Sequence, residues 1–192
     1  MKAILKESLI VIIIAIIFAF FGNILNPKGI SLFPDETRYK IDSTNNNIDY
    51  SKVWNDPYDT VNNKVAVLSG GEMTKEGYIK PQNINLTQAK TLFDINGLFI
   101  DGRKKEEFEK GHIKGAINIP YEEFMKLTVD QRKEMMRKYN KNGVIVCYCD
   151  GGGCDVSVDL GYELAKIGFN SVNIYLGGYS EWKSKGYPVE EK

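Results

Sequence analysis

Histidine is all but missing from this chain: His112 is the only one in 192 residues. Ser-His-Asp or Cys-His-Asn machinery would have to be built around that one side chain, and its setting in Gly111-His112-Ile113 argues for a structural hydrogen bond instead of a base. Cysteine is scarce as well. The three present, Cys147, Cys149 and Cys154, are an odd number, which excludes a complete disulfide framework, and their clustering suggests local chemistry. Three cysteines and one histidine match the inventory of a structural zinc site. However, Cys147-x-Cys149 inside an apolar stretch lacks the usual gap between ligands, so no metal and no other cofactor is expected. An excess of charge is also absent, Lys+Arg 25 balancing Asp+Glu 25. A nucleic-acid partner would normally require a basic face or stripe, and that class is set aside. There is no internal repeat.

What the chain does have, at its start, is an apolar run. Lys2 and Lys6 precede residues 9–25, which open on Leu9, close on Leu25 and hold no polar residue before Gly22 and Asn23. About 17 residues make roughly 26 Å of helix, the short end of what a bilayer core needs, and Lys6 can snorkel to extend it. The run ends in Ala19-Phe20-Phe21-Gly22-Asn23, where a cleavable signal would want small residues, so an uncleaved transmembrane anchor is expected. Positive charges flank both ends and do not settle orientation. The short two-lysine tail ahead of a long domain reads as a signal anchor with the bulk of the chain outside the cytoplasm, in an oxidising compartment. The lipid bilayer is thus one expected partner.

Three parts follow: residues 1–25 as the anchor, 26–82 as a polar tether and 83–192 as the domain. The tether is rich in Asn, Asp, Tyr, Lys and Thr, but Trp54, Tyr58 and Val65-Ala66-Val67-Leu68 need cover, so part of it is expected to dock on the domain. From Ile84 the pattern becomes regular. Leu86-Thr87-Gln88-Ala89 opens a helix with Leu86, Ala89, Leu92 and Phe93 on one face and Thr87 as its candidate cap. Apolar strands at Leu98-Phe99-Ile100-Asp101, Ala116-Ile117-Asn118-Ile119, Val144-Ile145-Val146-Cys147-Tyr148 and Val172-Asn173-Ile174-Tyr175 alternate with helical stretches at 104–110, at 130–139 and up to Ile167. That alternation predicts an α/β fold with a parallel sheet covered on both faces. In such sheets, sites form where strand C-terminal ends meet helix N-termini.

Cys149-Asp150-Gly151-Gly152-Gly153-Cys154-Asp155 occupies such a position. Three glycines let backbone N–H groups turn inward, and with a helix N-terminus nearby they favour a thiolate, the reactive form of cysteine. Cys149 is the candidate nucleophile. By itself the loop reads equally as a flexible turn beside a small apolar residue. Cys154 is either a small buried residue at a helix start or a resolving thiol, since the loop can curl to bring it within disulfide range of Cys149. Asp155 reads best as a helix N-cap, and Cys147, inside a strand, as core.

Several motifs, in order, carry a resemblance. They are Phe99-Ile100-Asp101-Gly102-Arg103, Glu106-Glu107-Phe108, Gly111-His112-Ile113-Lys114-Gly115-Ala116-Ile117-Asn118-Ile119-Pro120, the Cys149 loop, Leu176-Gly177-Gly178 with Trp182, and Gly186-Tyr187-Pro188-Val189. Over about residues 84–189 the chain resembles the rhodanese-like domains. The resemblance implies a five-stranded parallel sheet flanked by helices on both faces, completed by a strand near Ile84. It also implies that Cys149 carries a persulfide between a small sulfur donor and a thiol acceptor, with Asp150, Gly151, Gly152, Gly153, Asp155 and Arg103 as the binding residues. Asp101 and Arg103 are expected to pair with backbone and neighbouring loops.

Family members that use thiosulfate usually carry an arginine near the loop's end, where this chain has Cys154. With Asp150 and Asp155 beside the thiol and no cation in the loop, an anionic donor is expected to be repelled unless a base such as Arg103 reaches in. The related phosphatase loop is one residue longer and needs an arginine too, so phosphoester hydrolysis is disfavoured. Two alternatives to sulfur transfer stay open: thiol-disulfide exchange through Cys149 and Cys154, and a non-catalytic binding module.

Overall fold

The computed structural model describes residues 2–25 and 72–191, and the chain divides into two compact units, Met1–Thr37 and Arg38–Lys192. The expected docking of the tether, with Trp54, Tyr58 and residues 65–68, lies outside the described residues.

Among the described residues of the first unit, a helix, α1, spans Lys2–Leu25. Its apolar side chains are exposed all round, from Leu9 at 57% to Leu25 at 79%. Nevertheless, among the described residues no helix is long and apolar enough to cross a membrane. The transmembrane segment expected at 9–25 is therefore not supported by the structure.

The second unit runs through β1 (Gln82–Ile84), α2 (Leu86–Asp94), β2 (Leu98–Asp101), α3 (Lys105–Lys110), β3 (His112–Ile113) and β4 (Ile117–Asn118). It continues through α4 (Tyr121–Lys126), α5 (Val129–Met135), β5 (Ile145–Tyr148), α6 (Val156–Lys166), β6 (Val172–Tyr175), α7 (Gly178–Ser184) and β7 (Val189–Glu190). Five strands form a sheet in the order β1-β6-β5-β2-β4, parallel throughout. The α/β, five-stranded parallel sheet expected from the sequence is present, with β5 at its centre.

Period-two alternation sorts the strand residues onto two faces. Phe99, Val146, Tyr148 and Tyr175 pack with Ala89 and Leu92 of α2 and Tyr179 and Trp182 of α7. Ile100, Ile145 and Cys147 pack on the other face with Phe124 of α4 and Leu160 and Leu164 of α6. Because both faces are covered, β2, β5 and β6 are buried along their whole length, which is why they read as continuous apolar runs. Cys147 is a packed core residue, as expected, and burial pushes its thiol pKa far up.

One local expectation is corrected. The cap of α2 is Asn85, not Thr87: Asn85 Oδ1 accepts from Gln88 N at 3.0 Å while Gln88 Oε1 accepts from Asn85 N at 2.9 Å. A cap must precede the first helical residue, and Leu86 already is that residue. Beyond the expected elements, β3 and β7 pair antiparallel as a separate small sheet. It ties the chain's end to the body, and Ile113 N donates to Tyr148 Oη at 3.1 Å, next to the end of β5.

Candidate functional site

Cys149 follows β5 where the central strand ends, and the chain then turns through Gly151, Gly152 and Gly153, all at positive φ. Side chains rarely adopt that region, which explains the glycine run physically. The loop is clipped to the start of α7: Tyr179 N donates to the Cys149 carbonyl at 2.8 Å and Ser180 N to the Asp150 carbonyl at 3.0 Å. That clip needs Gly151 and Gly178 in close contact, since a Cβ on Gly151 would run into the Gly177 carbonyl, and one on Gly178 into the backbone of residues 149–151. With the loop's carbonyls turned to α7, no acceptor among the described residues takes the N–H groups of residues 151–157. Among the described residues they form a run of unpartnered donors in the chain between Cys149 and the first turn of α6, an arrangement suited to an anion.

Cys149 and Cys154 are paired as a disulfide, Cα to Cα 6.5 Å. Cys149 is only 1% exposed. Its Sγ lies 3.2 Å from the Cys154 carbonyl oxygen and 3.5 Å from Ser157 Oγ. Ser157, fully buried in the first turn of α6, is a site residue that sequence reasoning missed. A serine one turn into a helix carries no distinguishing pattern. Asp155 stands at the N-cap position of α6, but its side chain makes no capping bond and its backbone is already helical. The expected cap is one in position only.

Arg103 is where the charges differ most from expectation. Its Nε bonds both carboxylate oxygens of the fully buried Asp101, at 3.0 and 3.1 Å, and its Nη2 reaches Asp101 Oδ2 at 2.7 Å and the Gly111 carbonyl at 2.8 Å. Burial works against the guanidinium charge, but the bonds and field of Asp101 outweigh it and the pKa is raised. The guanidinium sits 4.6 Å from the centre of the Tyr179 ring, a cation–π contact. Nη1 then lies 3.5 Å from Asp150 Oδ1. Asp150 also accepts from Ser180 Oγ at 3.0 Å. Asp150 is thus not the unpaired carboxylate beside the thiol that the sequence suggested, and a cation does reach the loop, already engaged by two carboxylates.

Two clefts meet at Asp150 and Arg103. One, of about 360 Å³, is lined by Gly102, Arg103, Tyr121, Asp150, Cys154 and Val156, among others. A wider one of about 670 Å³ is bordered by Arg103, Gly111, Tyr179 and Lys183. Cys154 borders the first cleft, whereas Cys149 borders neither.

His112 is structural, as expected. Its Nδ1 pairs with the Phe108 carbonyl at 2.9 Å, its Nε2 with Glu190 at 3.1 Å, and its ring stacks on Phe108. Among the described residues no group of His, Cys, Asp or Glu is arranged to hold a metal.

A cysteine-bearing glycine loop at the C-terminal end of a central parallel strand, clipped to the start of a helix, defines a class of α/β domain. The family model of the rhodanese-like domain matches residues 85–185, and the chain belongs to that family. It is similar to thiosulfate sulfurtransferase 16, chloroplastic, of Arabidopsis thaliana, 30% identical over 57% of this chain and 93% of the relative. It is also similar to the tRNA uridine(34) hydroxylase of Buchnera aphidicola, 33% identical over 58% of this chain but only 35% of that protein. A solved human single-domain sulfurtransferase is 22% identical with a TM-score of 0.44, covering 54% of this chain and 96% of its own.

Proposed function

We propose that the domain is a sulfurtransferase that carries sulfane sulfur as a persulfide on Cys149, between a small sulfur donor and a thiol acceptor. The observation that supports this reading is the run of N–H donors at residues 151–157, unpartnered among the described residues, that follows Cys149 in the glycine loop. Such donors lower a thiol's pKa and stabilise the anionic outer sulfur of a persulfide. Reduced protein trapped with a thiol alkylator at the earliest times after a donor is added, and then digested, should carry one extra sulfur on the Cys149 peptide by mass spectrometry. An unmodified, unreactive Cys149 would point to a binding module instead. The pairing of Cys149 with Cys154 favours a second reading, thiol-disulfide exchange, which the same digest reveals as a disulfide formed from an external disulfide without sulfur uptake.

Relatives named as thiosulfate sulfurtransferases make thiosulfate the first donor to try. The charges argue against it. The 360 Å³ cleft is bordered by Glu106, Glu107, Glu122, Glu123 and Asp150 against Arg103, Lys104 and Lys105, and Arg103 is held by Asp101. A doubly charged donor meets no free bidentate clamp. Transfer from thiosulfate to cyanide should run roughly tenfold or more below transfer from a small alkyl persulfide, as colorimetric thiocyanate assays with each donor will register. Equal rates would mean that Arg103 leaves Asp150 for the substrate.

For location, the proposal is a single-pass anchor at residues 9–25 that holds the domain outside the cytoplasm. Its support is the composition of that run and the exposed apolar surface of α1, which needs cover from water. The intact chain should sediment with membranes, and Cys154 should react with a membrane-impermeant thiol reagent in reduced, unbroken cells. Recovery of a processed, soluble chain removes the anchor, and labelling only after lysis reverses its orientation.

A further inference from the structure

The two loop sulfurs are not equivalent, and the difference suggests what becomes of the sulfur. Cys149 is buried and next to Ser157; Cys154 is half-buried and borders the 360 Å³ cleft. Their pairing shows that Cys154 Sγ can reach Cys149 Sγ itself. In a persulfide, Cys149 Sγ is the inner sulfur. An acceptor thiol that takes the outer sulfur passes it on, whereas a thiol that attacks the inner sulfur expels it.

Resting on the Cys149 persulfide of the reading above, we infer that Cys154 resolves that persulfide within the same loop, so that where no acceptor thiol takes the outer sulfur the domain reduces it to hydrosulfide. First, the Cys149 thiolate attacks the outer sulfur of a small persulfide, R–S–SH. A Cys149–sulfur bond forms, the R–S bond breaks, and the R thiolate leaves. Then Cys154, its proton lost to solvent, attacks Cys149 Sγ. The Cys149–Cys154 bond forms, the bond to the outer sulfur breaks, and HS⁻ departs with the electron pair. One sulfane sulfur gains two electrons, and two thiols become one disulfide.

The cycle closes with an external dithiol reductant. Its thiolate attacks Cys154, the sulfur at the cleft, and Cys149 leaves as the thiolate that the N–H groups stabilise, which is the better leaving group. The second thiol of the reductant then frees Cys154. The absence of an arginine at the loop's end fits this assignment, because the position serves a nucleophile and not an anion clamp.

The test is a single turnover without reductant. Reduced wild type, Cys154→Ser and Cys154→Ala are each mixed with a limiting small alkyl persulfide. Sulfide is trapped, and the loop peptides are read by mass spectrometry. Wild type should release sulfide stoichiometric with the sulfur it takes up and finish with Cys149 joined to Cys154. Both variants should hold the extra sulfur on Cys149 and release at least roughly tenfold less sulfide; the alanine variant guards against an effect particular to the serine hydroxyl.

Wild type that keeps a stable Cys149 persulfide beside a free Cys154 thiol overturns the inference and leaves sulfur carriage intact. So does sulfur found on Cys154, which would mean attack at the outer atom, or sulfide release from the variants at the wild-type rate. No sulfur on Cys149 in any of the three proteins removes the persulfide reading and this inference together.

Discussion

Cys149→Ser should lose sulfur loading entirely, to the background of the uncatalysed donor, a drop on the order of 10⁴-fold or more. A thiolate is a strong nucleophile near neutral pH, while a hydroxyl at the same place needs a base to take its proton. None is at hand in the described loop. Ser157 Oγ, the polar side-chain atom that contacts Cys149 Sγ, is itself a hydroxyl. His112 has both ring nitrogens engaged by Phe108 and Glu190. The extra N–H donors cannot compensate, because they stabilise an anion that the serine does not form.

A control separates this loss from general damage to the loop. Cys147→Ala removes the buried, unreactive thiol beneath the site and should keep loading in a somewhat less stable protein. Loading that falls as far in Cys147→Ala as in Cys149→Ser would mean the wrong sulfur had been assigned, and a donor assay with intact-mass readout decides it.

The parts of this site that could be read from sequence are those whose chemistry is carried by neighbours along the chain. The buried strands β2, β5 and β6 announce themselves as apolar runs, and the three glycines after Cys149 mark the turn whose positive φ values the structure shows. What could not be read depends on contacts between distant segments. Each strand of the β3 and β7 pair has two residues, too few for alternation to show, and their pairing joins His112 to Glu190. The short helix α4 follows Pro120, with Glu122 and Glu123 in its first turn, a reasonable start signal but a helix too brief for a periodic face.

Asp150 was misjudged for the same reason. Its charge looked free because its partners, Arg103 and Ser180, lie far off in sequence and arrive through the ends of β2 and α7. Asp101 and Arg103 were expected to pair with backbone and neighbouring loops; Arg103 does bond the Gly111 carbonyl, but its guanidinium is held chiefly by Asp101 itself. The same guanidinium also spans to Asp150 in the glycine loop.

That spanning makes Asp101 the position where a single change costs most. Asp101 is fully buried and receives the backbone N–H of Arg103 at 2.9 Å as well as its guanidinium; Asn118 Nδ2 bonds the carbonyls of both Asp101 and Arg103. Asp101→Asn keeps the shape but removes the charge and turns an amide NH₂ toward guanidinium donors. Arg103 is then left 8% exposed with only the solvent-facing Asp150, 3.5 Å away, to balance it.

Uncoupling one partner of a buried ion pair typically costs about 3–5 kcal/mol, and chemical denaturation under reducing conditions should show a loss of that size. Arg103→Met should cost less in the Asp101→Asn background than alone, since the cation no longer has a carboxylate to leave stranded; the double-mutant cycle should therefore give a coupling of roughly 1–3 kcal/mol. Additive losses would mean that the pair is held by its surroundings and not by its charge.

The functional readout adds what stability cannot. With Asp101 gone, Arg103 should turn toward Asp150 and the cleft, so sulfur loading from thiosulfate should rise relative to loading from an alkyl persulfide, even as the protein becomes less stable. A donor ratio unchanged in folded Asp101→Asn protein would show that Arg103 takes no part in choosing the donor.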